Sequence, residues 1–185
     1  MYSKARIKGH PIHPMLVAFP IALYAATIVT LLAHVATGEL FWYRAALYAN
    51  VGGVVMAVVA AIPGLVDLSS LPAYSTARET GLRHAACHII ALLLFAASAA
   101  VIYGNYRGGH VLSNTAPLML SMCGLASTLV GGWLGWTLVQ THHVGVKPTD
   151  RSVKRPIDAI DDLDEMFPPA SLVGQPTETF SQYRH

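Results

Sequence analysis

Gly9-His10-Pro11-Ile12-His13-Pro14, running straight into the apolar stretch from Met15 to Ala36, decides what kind of protein this is. Each of the two histidines directly precedes a proline, a position pushed out of the α region toward extended or polyproline-II backbone. Polyproline II has three residues per turn, so His10 and His13 are expected on one side of a stiff entry segment. Pro14, with its fixed φ and no N–H, suits the first position of a helix. The run it opens is long enough to cross a bilayer, for which about 20 apolar residues are needed as a helix.

Working outward, three more runs of that kind follow. The spans are read as 15–36, 45–66, 85–103 and 116–139, with Pro20 a kink in the first. Between Pro11 and Gly145 the charged residues are Glu39, Arg44, Asp67, Arg78, Glu79, Arg83 and Arg107, which mark the breaks between runs. Overall the chain is 54% hydrophobic and 12% charged, against about 25% charged for a soluble domain. An open sheet cannot cross lipid, so the spans are helices. Short connections make them an all-α, antiparallel four-helix transmembrane bundle. The basic start before an apolar run resembles a signal peptide, but the run is too long and lacks a cleavage-like site, so it is read as a retained span.

The domain organisation is read as residues 1–146 in the membrane domain and 147–185 as a polar, flexible cytoplasmic tail with an acidic cluster from Asp158 to Glu165. Lys4, Arg6, Lys8, Arg78, Arg83 and Lys147 fall on one side of such a bundle, and Arg44 and Arg107 on the other. The excess of positive charge predicts that both termini are cytoplasmic, with the chain in an inner membrane. Phe41, Trp42, Tyr43, Tyr103 and Tyr106 are read as interfacial aromatics, as are His34 and His110. The net charge of +2 is spread over loops rather than one face, so no nucleic-acid surface is expected. Cys87 and Cys123 lie inside apolar runs and read as buried free thiols.

Alternating spans bring the start of the first, the end of the second, the start of the third and the end of the fourth to one side. That layer gathers His10 and His13, Asp67, His84 with His88 one turn on, and His142 with His143, six of the nine histidines. His84 and His88 stand at i, i+4 and face the same way. Ionisable residues at membrane depth are functional candidates by default. Imidazoles suit iron, copper or zinc ions, and two of them from different helices suit the axial positions of a b-type haem. Taken singly, each histidine is also comfortable as an interfacial side chain, and Asp67 could pair with Arg83 or cap the third span. Gly131 and Gly135, and the stripe of Gly53, Ala57, Ala60 and Gly64, read as close helix packing or as a slot for a flat cofactor. No nucleophile elbow, phosphate loop or zincin motif is present, so an enzyme is not the favoured reading.

These motifs carry a resemblance. The opening hexapeptide, Gly64-Leu65-Val66-Asp67, Leu82-Arg83-His84-Ala85, and Gly131-Gly132-Trp133-Leu134-Gly135 with His142 and Gly145-Val146 resemble an uncharacterised family of bacterial four-helix membrane proteins, over roughly Lys8 to Val146. The resemblance implies His10, His13, Asp67, His84 and His142 as motif positions. His88 and His143 depart from it, and rank lower as ligands. Some relatives are joined to Rieske iron–sulfur domains, which implies redox work at the membrane with a partner protein. The expectation is an integral membrane protein that holds a transition metal or haem b in its histidine layer. The alternatives are a non-catalytic subunit whose histidine layer is structural, and metal-ion transport or sensing.

Overall fold

A computed structural model describes residues 4–107 and 110–146; the tail assigned to the cytoplasm lies outside them. The elements are β1 (Arg6–Ile7), β2 (His10–Pro11), α1 (Ile12–Leu16), α2 (Ala18–Thr37), α3 (Leu40–Ser69), α4 (Thr76–Asn105), β3 (Tyr106–Arg107), β4 (His110–Val111) and α5 (Thr115–Gln140). Four stretches, Ile12–Thr37, Leu40–Ser69, Thr76–Asn105 and Thr115–Gln140, are long and apolar enough to cross a membrane.

The helices alternate in direction. α2 and α3 pair antiparallel, with Tyr24 against Gly53 and His34 against Tyr43. α4 and α5 do the same, with Phe95 against Gly124 and Ser98 bonded to Ser121. The Tyr43 hydroxyl donates to the Ile102 carbonyl and ties α3 to α4. The polarity is inverted relative to a soluble bundle. Thr27, Asn50, Ser98 and Ser121 are buried, while Val29, Leu93, Leu129, Trp133 and Trp136 face outward. An apolar exterior with a satisfied helical backbone is what lipid demands.

The four spans expected from hydropathy are present, but the helices run past the predicted ends. α4 begins at Thr76, nine residues before the expected start, because Ser75 accepts the Arg78 amide as an N-cap and Glu79 occupies the first turn. Arg78 reaches back to the Leu68 and Leu71 carbonyls and closes the end of α3. Arg83 pairs with Glu79 at 2.6 Å rather than with Asp67. At the other turn, Gly38 takes a left-handed φ of 73° after α2, and its N–H bonds the His34 carbonyl.

The entry hexapeptide departs from a continuous polyproline-II hook. Arg6 pairs with Pro11 and Ile7 with His10 across a two-residue turn, Lys8-Gly9, whose φ angles are both positive. That is the primed hairpin turn, and glycine suits its second position. Helix then starts at Ile12, so His13 is helical despite preceding Pro14. A proline in the first turn forfeits no helical bond, which lets the helix begin ahead of it. Pro20 lacks the N–H that would bond the Leu16 carbonyl, and the helix is interrupted at Val17, one turn earlier.

Two aromatic and polar expectations change at the far end. Tyr43 and His34 are buried core residues, 1% and 6% exposed, rather than interfacial ones. α3 starts at Leu40, and its first turn turns Tyr43 inward while Phe41 stays exposed. The His110 side chain lies outside the described residues. Of the two free thiols, Cys87 is half-buried, and Cys123 faces outward rather than into the core.

Candidate functional site

The site grows from two histidines that make the same bond. His13, on α1, places Nδ1 2.8 Å from the Ala60 carbonyl of α3. His84, on α4, places Nδ1 2.8 Å from the Gly131 carbonyl of α5. A carbonyl only accepts, so Nδ1 carries the hydrogen in both rings. In a neutral imidazole that bond selects the tautomer that keeps a lone pair on Nε2. The two ring centroids lie 6.2 Å apart, edge to face at 85°. Four helices thus meet through two imidazoles.

The carbonyls and the space have sequence causes. Pro63 sits inside α3 and has no N–H for the Val59 carbonyl, which loosens the ladder beside Ala60. Glycines supply the room. A Cβ on Gly64 would lie 2.9 Å from the His13 ring, one on Gly135 3.1 Å from His84, and one on Gly131 2.7 Å from His88 Nε2. The small residues of α3 and α5 are therefore seats for imidazole rings. Deeper in the bundle Gly53 seats Tyr24 and Gly124 seats Phe95 in the same way. This is close packing of a particular kind, ring against backbone.

The other sequence candidates spread around this pair. His88 belongs to the cluster, its ring centroid 4.5 Å from that of His84. It ranked lower because it departs from the motif pattern, although its i, i+4 spacing to His84 pointed to this place. His142 lies 3.4 Å, Nε2 to Oγ1, from Thr80, one turn outward from His84 on α4. Asp67 Oδ1 accepts the Ala5 amide at 3.0 Å and so ties the entry hairpin to the end of α3. His10 is exposed in β2, with Nδ1 3.2 Å from the Lys8 carbonyl. His143 sits in the turn after α5 with a positive φ of 51°. The structure therefore brings His13, His84 and His88 together, and sets His10, Asp67, His142 and His143 around them.

Sequence reasoning missed the backbone half of the site. The Ala60 and Gly131 carbonyls carry no side-chain signature, and the signal available was the glycine spacing on α3 and α5. Among the described residues, no group of three or more His, Cys, Asp or Glu side chains is arranged to hold a metal ion. What the cluster offers is a pair of oriented imidazoles. That donor set matches a group needing two protein nitrogens, as a haem iron does, or an ion whose remaining positions go to water.

Comparison with curated proteins and with solved structures finds no match. The family comparison does: a model described as predicted membrane protein (DUF2231) covers residues 9–148. With that match over most of the chain and four helices fit to cross a bilayer, the chain belongs to this family of membrane proteins.

Proposed function

We propose that His13 and His84 are the protein ligands of a transition metal, carried as an ion or in haem b, at one face of the membrane, where it serves redox chemistry with a partner protein. One observation carries the reading: both rings give their Nδ1 hydrogen to a helix carbonyl, which orients Nε2 and raises its basicity. This is the support that metal-binding histidines receive in known sites. The glycine seats hold both rings without strain on the helices. His88 stands close enough to His84 to act as a further donor or a polar neighbour.

The orientation is part of the same proposal. Lys4, Arg6 and Lys8 precede α1, and Arg78 and Arg83 flank the α3–α4 turn, which puts this face in the cytoplasm. Reporter fusions at Gly145 and within Val111 to Asn114 are expected to report opposite compartments, with Gly145 cytoplasmic. A periplasmic signal at Gly145 moves the histidines to the other face.

The decisive measurement is the visible spectrum and metal content of the purified protein. A Soret band that shifts on reduction identifies haem, and a colourless sample with stoichiometric metal identifies an ion. His13→Ala and His84→Ala are expected to abolish either one in protein that remains monodisperse, while His10→Ala and His143→Ala leave it intact. Absence of both metal and haem from the native protein sinks the proposal and leaves the histidine layer as structural packing.

A further inference from the structure

At the centre of the bundle each of the four long helices contributes one fully buried polar residue: Thr27 from α2, Asn50 from α3, Ser98 from α4 and Ser121 from α5. They fall in one layer. Tyr24 packs on Gly53 across the antiparallel α2–α3 pair, so Thr27, three residues on, faces Asn50, three residues back. Tyr24 also stacks on Phe95 with centroids 3.6 Å apart, and Phe95 sits on Gly124. One turn further along, Ser98 and Ser121 share a hydrogen bond of 2.9 Å. The rise of about 1.5 Å per residue puts this layer roughly 21 Å deeper than His84, fourteen residues away on α4.

Three of the four residues are satisfied by the protein. Thr27 donates to the Leu23 carbonyl, and Ser98 bonds both Ser121 and the Pro117 carbonyl. Asn50 is different. Neither its Oδ1 nor its Nδ2 has a hydrogen-bond partner among the described residues, and the Tyr24 hydroxyl, on the neighbouring helix, has none either. An amide with two donors and an acceptor oxygen, held at mid-bundle, has no lipid or bulk solvent to turn to. Buried polar groups of this kind are met by ordered water, which makes about three hydrogen bonds per molecule and occurs about once per 27 residues in folded proteins.

We infer that the bundle holds internal water at mid-depth, bound by the side-chain amide of Asn50. The site is separate from the histidine cluster and stands whether or not a metal binds there. It also accounts for an asparagine between Ala49 and Val51 in an otherwise apolar stretch of α3.

The chain has three asparagines, Asn50, Asn105 and Asn114, which makes the test direct. In the full-length protein in lipid bilayers, labelled at asparagine nitrogen, magnetisation transfer from water to each side-chain amide is followed by solid-state NMR. Asn105 lies at the far end of α4, half-buried and with its solvent-exposed side-chain hydrogen bond to the Ser113 carbonyl, and serves as the wet reference. Transfer to the Asn50 amide within a few-fold of the Asn105 build-up time is the expected result. No transfer to Asn50 while Asn105 saturates overturns the inference, as does a direct Asn50–Tyr24 hydrogen bond in the bilayer. The measurement uses unsubstituted protein, so a folding defect cannot mimic either outcome.

Discussion

The two ends of the bundle use the same local bond for different results. His34, near the end of α2, sets Nδ1 3.0 Å from the Glu39 carbonyl, much as His13 and His84 bond Ala60 and Gly131. Around His34 the bundle is closed by Leu31, Tyr43, Ala46 and Ile102, and the ring lies 5.1 Å from that of Tyr43. Around His13 and His84 the neighbours are other imidazoles and glycine backbone. An oriented imidazole is thus not by itself a site. What separates the ends is whether the ring faces another donor or a plug of apolar side chains.

The sharpest way to break this contrast is a pair of truncations. Leu31→Ala, at a fully buried position of the closed end, is expected to cost about 2–5 kcal/mol in unfolding free energy while leaving metal or haem content unchanged. His84→Ala should do the reverse, emptying the site with a smaller loss of stability. If Leu31→Ala strips the cofactor from folded protein, the two ends are coupled and the contrast fails.

Overpacking comes next. Gly53→Ala would set a Cβ 2.7 Å from the Tyr24 ring, itself stacked on Phe95 and unable to swing away. A loss of about 1–3 kcal/mol is expected in denaturant unfolding. An unchanged midpoint would show that the ring stack is looser than described. Tyr43→Phe removes one buried hydrogen bond to the Ile102 carbonyl, and about 0.5–1.5 kcal/mol should go with it.

The smallest effect separates two adjacent glycines. A Cβ on Gly132 meets nothing within 4 Å, so Gly132→Ala should be neutral or stabilising by up to about 1 kcal/mol. Gly131→Ala presses on the far end of His88, which can rotate, so the thermal midpoint should move little. The spectrum or metal affinity should still shift in Gly131→Ala, because His88 is displaced beside His84. Identical spectra for the two variants would place His88 outside the site.

The bundle was legible because lipid leaves few solutions. Four apolar runs divided by charged breaks admit little besides four helices, and their alternation alone predicted which ends share a face. Helix ends were less legible, since Ser75 and Arg78 extend α4 by capping rather than by hydropathy. The histidine layer was visible as a layer, with His13 and His84 among its members; the bonds that hold the two rings were not. The i, i+4 spacing placed His88 beside His84, but the Ala60 and Gly131 carbonyls that hold His13 and His84 leave no mark in the side-chain pattern. The entry hairpin escaped because the polyproline bias of His-Pro steps was weaker than pairing around Lys8-Gly9 and the anchor from Asp67 to Ala5.

The seats on α5 have a consequence for how this sequence can change in length. Gly135 lies under His84 and Gly131 under His88, two partners four residues apart on each of two antiparallel helices. Their match is a matter of phase. Deleting or inserting one residue between Gly131 and Gly135 rotates one seat by about 100° relative to the other, since an α-helix turns 3.6 residues per revolution. Hydropathy would be unchanged, and the span would still insert. Yet one imidazole would then face a full side chain where it now faces backbone. Tolerance to substitution on the lipid side of α5 and intolerance to a single-residue shift in its length should therefore coexist in the same five residues.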